Sequence, residues 1–463
     1  MQAASPHGSV SMNAKSSFLT EPERRTPVAG DYEVVVLGGG PAGIAAAAAA
    51  AQHGRKVLLV ERYGFLGGMG TAAGVTNFCG LHANVFGEIK QVVHGIANEM
   101  LARIGDLGGL NEPHLVLGKT CAQAYDTAAY KCAADQLLLS RDVQVLFHAL
   151  AVGVVIERPG HIAALLIETK SGRVAYRGQV FIDCSGDGDL AASAGASFEK
   201  GGADGGMLYP TTMFRLGNVD AAQAGDAWRT IPALMEAAEK RGEKFPRKGA
   251  IVRPQKHTSE WRVNVTQIKT PQGGAVDGTD AAQLSAGEFD GRRQAVAFFD
   301  FLKRAAPGFA DSYIIDIPPQ IGIRETRRIK GRYQLTADDV LSCASFPDTI
   351  GVNGWPIEAH VAGDVIWRWP EIPASRGFNH LPYRMLVADG FDNLLVAGRC
   401  ASMTHEGQSA ARVSGACFVM GQAAGTAAHL SLAAARSCAD IAPDKLQETL
   451  ERDGAYLGRD VGT

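Results

Sequence analysis

Short apolar runs separated by glycine turns organise the first sixty residues of the chain. Residues 34–37 form a β-branched run that predicts a buried parallel strand. A glycine turn and seven consecutive alanines, residues 45–51, follow it and predict a helix that ends at Gly54. Residues 57–60 predict a second buried strand. The pattern therefore predicts a β-α-β unit, with ordered structure starting near Asp31.

The pattern changes twice further along the chain. Residues 87–104 and 122–140 have the spacing of helices, and alternating segments at 143–147, 149–157, 162–168, 173–177 and 180–183 predict an inserted antiparallel meander. Between residues 201 and 384, strand-like segments at 211–216 and 313–317 mix with helical ones at 221–240 and 281–305, which indicates a second lobe. Residues 393–398 predict a strand that ends in glycine, and residues 416–434 predict a second helix of small residues.

The first glycine turn has the spacing of a dinucleotide-binding fingerprint. Gly38 allows the tight turn, Gly40 lets the backbone approach a pyrophosphate, and Gly43 lets helix and strand pack closely. The helix that begins at Pro41 and Ala42 offers its N–H groups to the phosphates. Glu61 ends the second strand, where a carboxylate accepts hydrogen bonds from a ribose. Strand, helix, second strand and acid together make the match specific.

Charge and composition exclude several classes of protein. With 45 Lys plus Arg against 48 Asp plus Glu, the formal net charge is −3, which gives no electrostatic reason to expect nucleic acid or an anionic membrane as a partner. The eight cysteines form no C-x-x-C pair, so cluster, zinc and dithiol sites are disfavoured. The first thirty residues are polar and predict a disordered tail rather than a secretory signal. No stretch predicts a membrane span, and a cytoplasmic location is expected.

Three further features favour FAD over NAD as the dinucleotide. The chain continues past Glu61 into the glycine loop at residues 67–71, a second glycine-bearing strand end lies at residues 182–189, and a third lies at residues 396–399. A flavin domain is typically split in this way, with its last piece returning from the C-terminal end, whereas an NAD domain is usually contiguous. A second GxGxxG after a strand is absent, so no separate NAD(P)H domain is expected.

These segments resemble the FAD-dependent oxidoreductase family related to fumarate reductase and succinate dehydrogenase flavoproteins, of the glutathione-reductase structural class. The resemblance covers roughly residues 31–435 and rests on Glu61 with its glycine loop and on the segments 182–191, 321–331, 381–384, 393–399, 411–413 and 421–425.

The resemblance implies a set of FAD-binding residues along the chain. Gly38, Gly40, Pro41, Ala42 and Gly43 would hold the pyrophosphate, Glu61 the ribose, and Arg62 would lie by the adenine. It further implies that Gly67, Gly68 and Met69 pass near the flavin, that Ser185 and Gly186 cover the adenosine, that Gly398 and Arg399 reach the ribityl and pyrophosphate region, and that Arg412 and Val413 open the last helix at the pyrimidine end of the flavin. Arg399 stands where many such flavoproteins carry an acid.

The predicted fold is α/β, with a split Rossmann-like FAD-binding domain, an inserted antiparallel meander and a second α+β substrate lobe. The predicted boundaries are a tail at 1–30, the first FAD-binding part at 31–200, a substrate or cap domain at 201–384, the return segment at 385–440, and a C-terminal helix and tail at 441–463.

Candidates for proton transfer and substrate binding lie mainly in the second lobe and the return segment. His405 is the favoured acid/base residue, because the loop from Arg399 to the helix aimed at the flavin has little freedom to leave the cofactor. His360 and Tyr383 are alternatives, and Arg324 could clamp a substrate carboxylate. Structural roles are the competing interpretation for each of them, including ion pairing of Arg324 with its neighbours in a helix. No H-E-x-x-H pattern is present, and no metal site is predicted.

The sequence thus predicts an FAD-dependent oxidoreductase that dehydrogenates a small organic substrate by hydride transfer to flavin. One alternative is a fumarate-reductase-like protein that reduces an activated C=C bond, and a less favoured one is a non-catalytic or RNA-modifying flavin protein. The substrate, the electron acceptor and a homo-oligomeric state stay open.

Overall fold

The computed structural model describes residues 19–461 of the chain. The first elements are β1 (Val28–Leu37), α1 (Pro41–Gln52), β2 (Val57–Val60), α2 (Met69–Ala72), β3 (Asn77–Cys79), β4 (His82–Val85), β5 (Glu88–Gln91), α3 (Ile96–Asp106), β6 (Leu110–Val116), β7 (Thr120–Tyr125), α4 (Thr127–Leu139), β8 (Gln144–Leu146), β9 (Leu150–Arg158), β10 (His161–Thr169), β11 (Gly172–Asp183), α5 (Asp189–Ser193) and β12 (Phe198–Glu199). They are followed by β13 (Phe214–Gly217), α6 (Ala221–Ala224), α7 (Ala227–Lys240), β14 (Ile251–Pro254), β15 (Trp261–Asn264), α8 (Ala281–Ala305), β16 (Tyr313–Asp316), β17 (Arg328–Ile329), α9 (Ala337–Leu341), β18 (Thr349–Asn353), β19 (Ile357–Val361), β20 (Asp364–Arg368) and β21 (Asn379–Pro382). The return segment contributes β22 (Leu394–Val396), α10 (His405–Ala411), α11 (Ser414–Ala434) and α12 (Pro443–Arg452).

The main sheet combines a parallel half with an antiparallel half. Its order is β8-β2-β1-β11-β10-β9, and β22 adds to the end of β11. Strand β11 is long enough to serve both halves, because its first half pairs antiparallel with β10 and its second half pairs parallel with β1 and β22. The predicted α/β fold with a returning C-terminal strand is confirmed.

Two helices of small residues cross closely beneath the parallel strands. Residues Ala42 to Ala50 of α1 are buried, as is most of α11 up to Ala428. A Cβ atom on Gly421 would lie 2.1 Å from the carbonyl oxygen of Ala42, and one on Gly425 would lie 2.2 Å from that of Ala46. The small residues therefore allow contact between helix backbones, which draws the return segment against the first glycine turn.

The second lobe is built on a separate antiparallel sheet. Its order is β14-β15-β13-β16, and α7 and α8 cover it. Trp261 of β15 packs edge-on against Phe309 within the apolar core between sheet and helices. The core gives this lobe its own stability and leaves one side of the sheet turned toward the cofactor-binding half.

Several element predictions were wrong in detail. Residues 87–104 begin as β5, and the helix α3 starts only at Ile96. Residues 122–125 belong to β7, because Asp126 caps α4 by accepting hydrogen bonds from the N–H groups of Ala128 and Ala129. Residues 143–147 form β8, which pairs parallel with β2 and so lies outside the meander. The segments 173–177 and 180–183 are one strand, β11.

The chain termini also differ from expectation. Residues 28–30 of the predicted tail already belong to β1, and residues 1–18 lie outside the described part. The helix α11 starts at Ser414, after its N-cap Val413, and α12 follows it, so α11 is not the last helix. Among the helices of residues 19–461, none is both long and apolar enough to cross a membrane.

Candidate functional site

A cavity of about 780 Å³ separates the parallel strand ends from the second lobe. Most of the residues predicted to bind the cofactor line it, namely Gly38, Gly40, Pro41, Ala42, Glu61, Arg62, Gly68, Met69, Ser185, Gly186, Gly398, Arg399, Arg412 and Val413. Of the four candidates for chemistry, His360 and Arg324 also line it. The carboxyl ends of β1, β11 and β22 therefore meet the second lobe across one continuous space.

Two of the residues predicted to bind the cofactor, Gly43 and Gly67, lie behind the lining of the cavity. A Cβ on Gly43 would lie 1.8 Å from the carbonyl oxygen of Gly38, so only glycine lets the helix approach the turn this closely. Gly67 has a φ of +109° and donates its N–H to the carbonyl oxygen of Gly39 at 2.8 Å. Both residues thus fix the glycine turns against each other rather than facing the cavity.

The first turn of α1 has the features that a pyrophosphate requires. Its N-cap, Gly40, provides no side-chain cap, and Pro41 occupies the first helical position. A Cβ on Gly40 would come no closer than 3.6 Å to its nearest neighbour, the Cα of Gly68, so this side of the turn is open. Backbone N–H groups at an open helix N-terminus fit a phosphate.

Glu61 forms hydrogen bonds with the backbone of the glycine turn, in addition to its predicted role in binding the ribose. Its carboxylate accepts the N–H of Gly39 at 2.7 Å and that of Tyr63 at 2.9 Å. Burial raises the pKa of this carboxyl, and the two backbone hydrogen bonds oppose that rise. Each oxygen keeps a second lone pair with which it can accept a ribose hydroxyl.

A carboxylate cluster that sequence reasoning missed surrounds Arg399. The guanidinium of Arg399 donates to Asp187 at 3.0 Å, and Arg62 lies 3.9 Å from the same carboxylate. Burial, followed by the charges of Asp187 and Asp183, raises the pKa of Asp189 to about 6. Asp183, Asp187 and Asp189 lie close together in the sequence, at the end of β11 and just after it. Their local pattern did not reveal that Arg399, from the return segment, would lie beside them.

On the second-lobe side, Glu358 and His360 form a hydrogen-bonded pair. Nε2 of His360 lies 3.1 Å from Oε1 of Glu358, whose Oε2 accepts the indole N–H of Trp355 at 2.9 Å. Burial, followed by the charge of Arg324, lowers the pKa of His360 to about 3. Burial acts to raise the pKa of Glu358, but the hydrogen bonds from His360 and Trp355, together with the charge of Arg412, lower it to about 2. At neutral pH the pair is therefore a carboxylate and a neutral imidazole.

Buried arginines line the same side of the cavity. Arg247 donates to the carbonyl oxygens of Lys248, Gly249 and Asn264, and Arg262 donates to that of Val75. Burial lowers the pKa of each guanidinium to about 10, which leaves both charged at neutral pH. Sequence reasoning missed these two arginines and Glu358, because nothing in their local pattern distinguishes them from surface residues.

Two of the candidates for chemistry lie away from the cavity lining. His405 begins helix α10 rather than lying in a loop, and its Nδ1 lies 2.8 Å from the buried carboxylate of Glu325. The hydroxyl of Tyr383 is buried and donates to the carbonyl oxygen of Cys438 at 2.7 Å. Both side chains form hydrogen bonds with other segments of the protein. His405 therefore does not line the cavity, where the sequence placed it beside the flavin.

The arginine-rich segment around Arg324 is extended and irregular rather than helical. Arg327 pairs with Asp189, and Arg328 pairs with Glu325 and donates from Nε to the carbonyl oxygen of Met403, so this segment is joined to both parts of the cofactor-binding half. Arg324 differs from them because it lines the cavity. Within residues 19–461, no group of three or more His, Cys, Asp or Glu side chains is arranged to hold a metal ion.

Comparison with known proteins gives a family for nearly the whole chain. The sequence model of the family described as FAD dependent oxidoreductase matches residues 33–450. No curated protein matches the chain.

Three solved structures resemble the chain over most of its length. A geranylgeranyl bacteriochlorophyll reductase-like protein from Thermoplasma acidophilum is 13% identical, with 94% of each chain covered and a TM-score of 0.45. A p-nitrophenol 4-monooxygenase from Pseudomonas putida is 11% identical (93% and 87% covered, TM-score 0.44), and a flavin-dependent brominase is 13% identical (92% and 84% covered, TM-score 0.45). At these identities and scores the likenesses carry no conclusion about the reaction. From the family match, the chain belongs to the FAD-dependent oxidoreductase family, and FAD is its cofactor.

Proposed function

We propose that the protein dehydrogenates a small organic substrate, with His360 as the group that accepts the proton. The observation that carries this proposal is the single cavity that runs from the open turn at Gly40 to the pair formed by Glu358 and His360. A substrate in the second-lobe part of this space would lie between the cofactor-binding wall and a titratable side chain, as a dehydrogenase requires.

The residues of the second lobe supply the proton chemistry. FAD, held at the turn formed by Gly38 and Gly40, would supply the acceptor for a hydride equivalent from the substrate. The carboxylate of Glu358 accepts the Nε2–H of His360, which leaves the lone pair on Nδ1 as the proton acceptor. The imidazole is neutral at neutral pH and so has a lone pair that can accept a proton, but burial and the charge of Arg324 hold its pKa at about 3, so it is a weak base until the negative charge of a bound group raises that pKa.

The remaining wall supports an organic substrate with an apolar part. Phe78, Tyr125 and Trp355 line the cavity near the buried polar groups, and Phe78 and Tyr125 pack together with their ring centroids 4.3 Å apart. Apolar walls with a few fixed polar groups are typical of small-molecule sites, and they exclude water from the reacting groups.

The test is anaerobic reduction of the FAD-loaded protein. A panel of small alcohols, amines and hydroxy acids is mixed with the protein, and flavin absorbance at the oxidised maximum is followed over time. The proposal expects at least one class to bleach the flavin, and reoxidation by oxygen or a quinone then identifies the acceptor. Failure of the whole panel, with reoxidation of chemically reduced protein by an activated alkene instead, would favour the predicted alternative of C=C reduction.

A further inference from the structure

The second-lobe side of the cavity holds more positive than negative charge. Arg247, Arg262 and Arg324 are each less than a tenth exposed, and Arg412 is partly buried beside them. Glu358 is the carboxylate that faces them inside the cavity, whereas Asp364 lies at the exposed rim. Four guanidinium groups therefore lie around one partly buried carboxylate.

None of these four arginines forms a salt bridge within 4.0 Å in the part of the chain that the structure describes. The Nη groups of Arg247 donate to backbone carbonyl oxygens, and these hydrogen bonds hold the side chain in the wall of the cavity. Glu325, another nearby carboxylate, is occupied by Arg328 and His405. The single negative charge of Glu358 and the already paired Glu325 thus compensate the four positive charges only in part.

Arg324 and Arg412 retain donors for a ligand. Arg324 donates from Nη1 to the carbonyl oxygen of Tyr209 at 2.5 Å, and Arg412 donates from Nη2 to that of Glu358 at 2.9 Å. Both acceptors are neutral backbone oxygens, and Nε of Arg412 has no partner among the described residues. Burial, followed by the charges of Arg412 and Arg247, lowers the pKa of Arg324.

We propose that Arg324 and Arg412 together hold a carboxylate group of the substrate, so that the site selects organic anions over neutral molecules of the same shape. The inference rests on the proposed function, because it names the chemical class of the molecule that this cavity oxidises. A carboxylate accepts two parallel hydrogen bonds from a guanidinium, and its charge offsets the buried arginines that otherwise face only Glu358. The aromatic wall accommodates the uncharged remainder of the molecule.

The pyrophosphate of FAD does not fill the same role. The turn that fits it is at Gly38 and Gly40, at the N-terminus of α1, whereas Arg324 belongs to a segment of the second lobe. The anion expected at Arg324 is therefore a second molecule.

Benzoate and benzamide test the proposal, because they share a shape and differ in charge. Binding of each to the FAD-loaded protein is measured by calorimetry and by the change in flavin absorbance. We expect benzoate to bind roughly tenfold or more tightly than benzamide, since hydrogen bonds to charged partners are the stronger ones. In Arg324→Met the preference should disappear while the FAD content stays that of the wild type. Arg292→Met, on the exposed face of α8, is the matched control and should keep the preference.

Each result of the binding experiment either supports the proposal or overturns it. Equal affinities for the two probes, no binding of benzoate, or an unchanged preference in Arg324→Met would overturn the proposal. If Arg324→Met does not fold, Arg324→Lys takes its place; it keeps the charge but loses the bidentate geometry, and it should weaken benzoate more than benzamide. The FAD content and the reduction assay report on the proposed function separately, so a protein that is reduced only by neutral substrates would refute the anion preference alone.

Discussion

Glu358 and His360 occupy alternate positions on strand β19, and the carboxylate Oε1 of the first lies 3.1 Å from Nε2 of the second. Alternate residues of a strand point to the same face, so this pairing follows from strand geometry once β19 forms. Its consequence is a histidine with a fixed tautomer that lines the cavity.

Replacement of His360 tests its role as proton acceptor. His360→Gln should bind FAD normally and be reduced by substrate roughly a hundredfold more slowly, because general base assistance is lost. Stopped-flow measurement of flavin reduction checks this. His257→Gln, at an exposed position of the second lobe, is the control and should react at the wild-type rate. A wild-type rate in His360→Gln would assign the proton to another group.

The same histidine makes stability depend on pH. Its pKa is about 3 in the folded protein and near 6.5 in the unfolded chain, so between these values the unfolded chain binds a proton that the folded protein does not. The stability is therefore lost as pH falls from 6.5 toward 3. We expect Tm to decrease between about pH 7 and about pH 5, and to decrease less steeply in His360→Gln. Parallel curves for the two proteins would contradict this.

The glycine turn offers a test of cofactor placement. Gly40→Asp should fold, because the nearest neighbour of a new Cβ is 3.6 Å away, yet it should lose FAD, because a carboxylate would repel the phosphates. Flavin absorbance and circular dichroism measure the two properties. Gly40→Ala is the uncharged comparison and should lose less FAD, because its methyl group obstructs the approach of the backbone to the pyrophosphate but adds no charge. Full flavin content in Gly40→Asp would show that the phosphates bind elsewhere.

His405 should act in stability rather than in chemistry. Its hydrogen bond to the buried Glu325 joins α10 to the arginine-rich segment of the second lobe, and His405→Gln should lower the free energy of unfolding by about 1–3 kcal/mol. The rate of flavin reduction should stay near that of the wild type. A slow reduction with unchanged Tm would restore the catalytic role that the sequence predicted.

The crossing of α1 and α11 should tolerate no added methyl group. In Gly425→Ala a Cβ would lie 2.2 Å from the carbonyl oxygen of Ala46, so the helices must separate, at a cost of about 1–3 kcal/mol. Gly105→Ala in α3 is the control, because its Cβ would meet nothing within 4 Å, and it should stabilise the helix by about 0.5–1 kcal/mol. Chemical denaturation of both variants measures the difference.

The strand and turn at residues 34–43 could be predicted because strand, glycines and alanine-rich helix are adjacent in sequence. The helix boundaries near Ile96 and Thr127 could not, because the preceding residues have helical spacing but pair as strands, β5 in a hairpin with the adjacent β4 and β7 with the distant β3. Pairing between strands outweighed helical spacing in both places.

The sequence by itself determined the split FAD-binding architecture and the residues of its glycine turns, since their steric requirements are local. Only the tertiary structure decided which histidine faces the cavity. His360 forms a hydrogen bond with Glu358, two residues away on the same strand, whereas His405 forms one with Glu325, eighty residues earlier in the chain. The tertiary structure also gathered Arg247, Arg262, Arg324 and Arg412 around Glu358. Charges from separate elements meet only when the second lobe and the return segment close on one cavity, and no local pattern encodes that approach.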